Sequence, residues 1–136
     1  MDKDEFIRTY LYESLTLSSK AGRAIHHLQH LPAKKFKKFL EDIFKKRLDE
    51  LKEDIDKDLI KKAKRFAPGL KSEDELIKLL ITELRSISRS IHSGNKIKSD
   101  VLKLINKEKF DKAVKLIKKD DKRFPVINLF FEFYNI

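Results

Sequence analysis

The chain has 136 residues, enough for one domain with a real core and too few for two separately cored domains. Hydrophobic and charged residues each make up 40% of it, with only three Gly and three Pro, a composition that excludes low-complexity and disordered chains. The 32 Lys and Arg exceed the 22 Asp and Glu by ten, which favours a polyanion or an acidic protein partner. The absence of Cys removes disulfides, thiolate nucleophiles and Cys-based metal sites.

Phe6, Ile7, Tyr10, Leu11, Ser14 and Leu15 recur at three- and four-residue spacing, so the first twenty residues read as an amphipathic helix weakened at its end by Ser18, Ser19 and Gly22. After a His-rich stretch, Pro32 stands where a helix begins, and Phe36, Phe39, Leu40, Ile43, Phe44, Leu48, Leu51 and Ile55 keep the same rhythm. The stripe continues through Leu59, Ala63 and Phe66, so this helix either runs to Ala67, before Pro68-Gly69, or bends near Asp54–Asp58. Unbroken, ~30 residues at ~1.5 Å each make a rod of ~45 Å, more apolar face than a body of this size covers alone.

Ser72-Glu73-Asp74-Glu75 has the form of a capping box, opening a helix whose buried stripe is Leu76, Leu79, Leu80, Leu84, Ile87 and Ile91 and whose end is marked by Gly94-Asn95. A shorter helix carries Val101, Leu102 and Ile105. Asn106 is placed to cap a last one, with Phe110, Ala113, Val114 and Ile117 on one face. The fold class is therefore all-α, a bundle of five to six helices with a long central helix, spanning residues 1–121. Residues 122–136 differ in kind. Arg123-Phe124-Pro125-Val126-Ile127-Asn128-Leu129-Phe130-Phe131-Glu132-Phe133-Tyr134 is aromatic and β-branched and reads as an extended tail that docks on its own body, pairs as a strand with another chain or docks as a peptide on a partner. Ile127, Phe130 and Phe131 also have the spacing of peptides that dock on sliding clamps, although Phe124 stands where those peptides carry glutamine.

Apolar runs are far short of the ~20 residues needed to span a bilayer, and Met1-Asp2-Lys3-Asp4-Glu5 is unlike a signal peptide, so a soluble intracellular protein with no membrane partner is expected. Lys and acid abundance without Cys or Trp fits a thermophile surface.

Charge comes in blocks. Residues 34–47 carry a net +5, 48–58 a net −4, 59–71 a net +5 and 96–123 a net +6. Lys34, Lys35, Lys37, Lys38, Lys45, Lys46 and Arg47 form a candidate phosphate-contacting face, and the 107–123 block a second. With 25 Lys to 7 Arg and few aromatics among the basic runs, the usual residues for base reading and stacking are scarce. His26 and His30 share an i, i+4 spacing suited to zinc, but no adjacent Glu or fourth ligand completes a site, and a surface turn is the simpler reading. The acids Asp49, Glu50, Glu53, Asp54, Asp56 and Asp58 have Lys45, Lys46, Lys52 and Lys57 at helical neighbour spacing. No phosphate loop or nucleophile elbow is present, so no enzyme, metal or cofactor is expected.

Three segments resemble the helical domain of the GINS family: Leu28-Gln29-His30-Leu31-Pro32, the helix from Leu79 to Ile91 with its spaced Arg85 and Arg89, and Leu104-Ile105-Asn106-Lys107-Glu108-Lys109-Phe110. The resemblance covers roughly residues 28–118. It implies a non-enzymatic subunit of the replicative helicase assembly, cytoplasmic and nucleoid-associated, packing against other GINS-type subunits and linking the MCM helicase to a Cdc45/RecJ-like partner. It also implies a small β-domain after the helices, of which residues 122–136 are read as remnant or substitute. On this reading the partner interface comprises Phe36, Phe39 and Phe44 of the long stripe, Arg85 and Arg89, and Ile127, Phe130, Phe131, Phe133 and Tyr134 of the tail. The alternative is a small basic helical nucleic-acid-binding module, such as a ribonucleoprotein subunit or a viral regulator, working through the lysine faces.

Overall fold

A computed structural model describes residues 1–16 and 33–136, without the side chains of residues 33, 36, 37, 39, 40 and 43. The described residues form an all-α bundle and contain no strand. Helix α1 (Lys3–Phe6) opens at Asp2, whose carboxylate accepts the Glu5 N–H at 2.8 Å, and continues as a π-helical stretch, Ile7–Tyr12. The six apolar-face residues from Phe6 to Leu15 are all buried, as their spacing requires.

Helix α2 (Ala33–Leu48) does not extend into a 30-residue rod. It passes into a 3-10 stretch, Asp49–Asp54. Ile55 is extended at ψ 118°, and the Asp56 carboxylate accepts the Leu59 N–H at 2.8 Å to start α3 (Lys57–Ala63). An Asp side chain that bonds nearby backbone offers the chain an alternative to helix, and here the alternative prevails. The apolar stripe survives the break. Phe44, Leu48, Leu51, Ile55, Leu59 and Ala63 are buried within this chain, so the surplus face expected of a long rod is absent from Phe44 to Ala63.

The central element is instead α4 (Glu73–Ser88), which touches α2, the 3-10 stretch, α3 and three helices that follow it. Half of its capping box forms. Ser72 Oγ accepts the Glu75 N–H at 3.3 Å, while the Glu75 carboxylate takes the Lys71 N–H at 2.9 Å rather than that of Ser72. Leu76, Leu80, Leu84 and Ile87 are buried, but Ile91 is 62% exposed. The helix is interrupted at Arg89 (ψ 0°) and restarts as α5 (Ser90–Ser93), which turns the expected stripe outward. Gly94, at φ +72°, ends α5 in the left-handed conformation that favours glycine, and Asn95 caps α6 (Lys96–Asn106) by accepting the Lys98 N–H. Asn106 therefore lies in the last turn of α6 rather than capping the next helix. That helix, α7 (Phe110–Lys118), starts at Lys109 without a side-chain cap.

The last segment is helical, not extended: α8 spans Pro125–Phe133. Proline at a first helical position loses no bond, because its N–H would have no partner there, and Val126, Ile127, Phe130 and Phe131 recur at helical spacing. The burial available to that stripe overrides the β-propensity of its residues. Packed on α3, α4 and α7, α8 is part of the one body and not an appendage of it. Phe6 joins the two ends of the bundle, with its ring 6.1 Å from Phe130, 6.0 Å from Phe131 and 5.4 Å from Tyr134. The Tyr134 hydroxyl donates to Asp54 at 2.8 Å, tying α8 to the 3-10 stretch.

Phe124, at the cap position of α8, offers no side-chain acceptor, so the first N–H groups of the helix need a partner from elsewhere. Glu83 of α4 supplies it. Its carboxylate accepts the Val126 N–H at 3.1 Å and the Ile127 N–H at 2.6 Å. The group is buried, and desolvation pushes its carboxyl from the ordinary 4.5 up to about 7 against the opposing pull of the two N–H donors and of Lys98. The other end of α8 closes with Asn135 at φ +57°, and the Ile136 N–H returns to the Phe131 carbonyl at 2.8 Å in a Schellman arrangement.

Candidate functional site

The packing of α2 on α4 leaves a groove along their shared edge. From α2 it is lined by Lys34, Lys38, Glu41, Asp42 and Lys45; from α4 by Lys78, Ile81, Thr82 and Arg85. The α2 lysines stand at i, i+4 and i+11, one face of a helix over about 16 Å at ~1.5 Å per residue. On α4, Lys78, Thr82 and Arg85 stand at i, i+4 and i+7. Arg85 Nη1 donates to Glu41 at 2.9 Å, a pair that clasps the two walls and neutralises both partners. Among the described residues, none of the four lysines is in an ion pair. Lys34, Lys38, Lys45 and Lys78 against Asp42 leave the groove strongly positive.

The fold thus divides the basic block of residues 34–47. Lys34, Lys38 and Lys45 line the groove; Lys35 and Lys46 are exposed on other faces of α2; the Lys37 side chain lies outside the described residues. Arg47 is structural. It pairs with Glu13, and its Nε donates to the Thr9 carbonyl at 3.3 Å, pinning α2 to the first helix. Lys78 comes from a distant helix, and its one sequence signal is its helical spacing to Thr82 and Arg85.

The residues expected to face a partner are mostly consumed by the fold itself. Phe44, Ile127, Phe130 and Phe131 are fully buried in this chain's own core, so none presents a contact surface and the clamp-like spacing is not displayed as a peptide. Phe133 and Tyr134 are half-buried against each other, with ring centroids 5.0 Å apart. Arg85 is committed to Glu41, and Arg89 is exposed at the end of α4. The side chains of Phe36 and Phe39 lie outside the described residues, as do His26, His30 and the segment Leu28–Pro32.

Among the described residues, no group of His, Asp and Glu is arranged to hold a metal ion, and no helix is long and apolar enough to cross a membrane. The acidic 3-10 stretch is engaged by lysine: Lys52 pairs with Asp49 at 3.1 Å and also with Asp74, and these carboxylates hold its ammonium above the usual lysine range. No family model matches the chain, and no curated protein or solved structure matches it.

Proposed function

We propose that the protein is a non-enzymatic helical module that binds the phosphate backbone of nucleic acid through the groove between α2 and α4. The observation that carries this reading is the convergence of four lysines from two helices on one concave surface, none of them in an ion pair among the described residues. Lysine ammonium groups are point charges suited to phosphate and poor at bidentate base reading, so the binding is non-sequence-specific and driven by counterion release. Among the described residues, the apolar side chains expected at a protein interface, Phe44, Ile127, Phe130 and Phe131, are inside the core.

Fluorescence anisotropy with labelled oligonucleotides over a salt series tests it. Binding weakens steeply as salt rises, and each of Lys38→Glu, Lys45→Glu and Lys78→Glu lowers the slope of log K against log salt by roughly one. No binding at low salt, or unchanged slopes in folded variants, overturns the proposal.

A second reading keeps the replication role, as a GINS-type subunit contacting sister subunits, the MCM helicase and the RecJ-like partner. It is favoured by Ile91, 62% exposed beside exposed Arg89 at the end of the segment that resembles that family. Its test is affinity purification from the native source at high salt. Recovery of helicase components that Ile91→Asp abolishes supports it, and their absence removes it.

A further inference from the structure

Two basic blocks far apart in sequence, 59–71 and 96–123, meet in the fold. The turn after α3 brings Arg65 and Phe66 to one wall of a groove, and the end of α7 with the loop after it brings Lys118 and Lys122 to another, with α8 as the floor. Phe66 is 36% exposed, while Phe6, Phe44, Phe124, Phe130 and Phe131 are all fully buried. An aromatic ring left at the surface between cations is what a single-strand site needs besides charge, and of the aromatics within the basic runs Phe66 is the one this groove exposes.

The acids of the groove do not cancel its charge. Glu132 is already held by Lys62 at 3.5 Å and Arg65 at 3.6 Å, which leaves Lys118 and Lys122 against Asp121. A flat apolar face beside ammonium groups that form no ion pair among the described residues suits a ligand that is aromatic and anionic at once. A nucleotide is such a ligand, with its base stacking on the ring and its phosphates on the lysines.

We infer that this groove holds an unpaired base of a single-stranded nucleic acid, stacked on Phe66 with its flanking phosphates on Lys118 and Lys122. The inference rests on the nucleic-acid reading above but uses a different surface. A duplex keeps its bases stacked inward and gains nothing from Phe66, so single strands and duplexes are distinguished here and not in the α2–α4 groove.

The experiment compares oligothymidylate, oligouridylate and a DNA duplex by anisotropy at one salt concentration. Phe66→Ala is expected to weaken single-strand binding by about 5- to 100-fold, the range for losing one base–aromatic stack, and to leave duplex binding within about twofold. Because the chain contains no tryptophan, Phe66→Trp places a sole indole in the groove. That variant should keep single-strand affinity, and its emission should be quenched by oligothymidylate but not by the duplex. If Phe66→Ala changes neither ligand, or both equally, or the indole is not quenched, this inference falls while the α2–α4 reading stands on its salt slopes. If no ligand binds, both fall together.

Discussion

Substituting Glu83 by Gln tests whether a buried carboxyl bridges α4 and α8. In the folded protein this carboxyl holds its proton up to about pH 7, against an ordinary value of 4.5. The native state therefore binds more protons than the unfolded state between those limits, and stability falls as pH rises through them. The contribution is fully present below pH 4.5 and lost above pH 7. At ~1.4 kcal/mol per unit, the change between pH 5 and pH 8 is between about 2 and 3 kcal/mol. Gln is nearly isosteric but does not titrate, and its amide NH₂ faces one of the two backbone donors, so an N–H of Val126 or Ile127 loses its acceptor at a cost of about 1–3 kcal/mol. Urea denaturation followed by far-UV circular dichroism at both pH values measures the stability gap between wild type and Glu83→Gln. That gap should be larger at pH 5 than at pH 8 by about 2–3 kcal/mol, a relative midpoint shift of roughly 1–2 M urea. Every other ionisable group is common to the two proteins, so its contribution cancels in the gap. A gap independent of pH would falsify the argument, showing that the two N–H donors keep the carboxylate ionised; a gap larger at pH 8 would reverse its sign.

Phe6→Ala removes the ring between α1 and α8 and should cost about 3–5 kcal/mol in urea unfolding; a loss under about 1 kcal/mol would mean that the two helices do not depend on it. Glu108 sits at φ +58°, and Glu108→Gly relieves about 1 kcal/mol of backbone strain while giving up an exposed pair with Arg8. A rise in Tm of about 1–4 °C is expected, and a fall would contradict the strain assignment. Asp56→Ala deletes the α3 cap and should destabilise by about 1 kcal/mol without adding helix signal. A gain in ellipticity at 222 nm would mean that the cap alone holds α2 and α3 apart.

Helical periodicity made most of the body legible: the stripes of the first helix, α4, α6 and α7 are buried as their spacing requires, except for Ile91, which is exposed, and Leu79, which is half-buried. At the last helix residue type and spacing disagree, and residue type points to the wrong structure. Val, Ile and Phe favour strand one at a time, whereas Val126, Ile127, Phe130 and Phe131 together trace a helical face, and a proline marks the start of either structure. The break between α2 and α3 hides in the same way, since Leu51 and Ile55 stay in phase across a turn that is not α-helical. Glu83 was readable in principle, because it stands at i+3 from Leu80 on the buried face, but its partners are backbone groups 43 and 44 residues on. Both grooves depend on juxtapositions that no local pattern encodes: Lys78 beside the α2 lysines, and Phe66 beside Lys118. The charge of each block could be counted from sequence, but which lysines share a concave surface is decided by how the helices cross.

The ring contacts of Phe6 with Phe130 and Phe131 also set an order of events when the chain is made. These residues lie more than 120 positions apart, so at about 5–20 residues per second a ribosome delivers the second partner roughly 6–25 s after the first. Through that interval Phe6 has no α8 rings to cover it. Closure of the core is consequently a late, long-range step, of the kind that slows folding relative to helical bundles built from neighbouring hairpins. Emerging chains halted before Phe124 should therefore carry an adhesive amino-terminal face that the finished protein never shows.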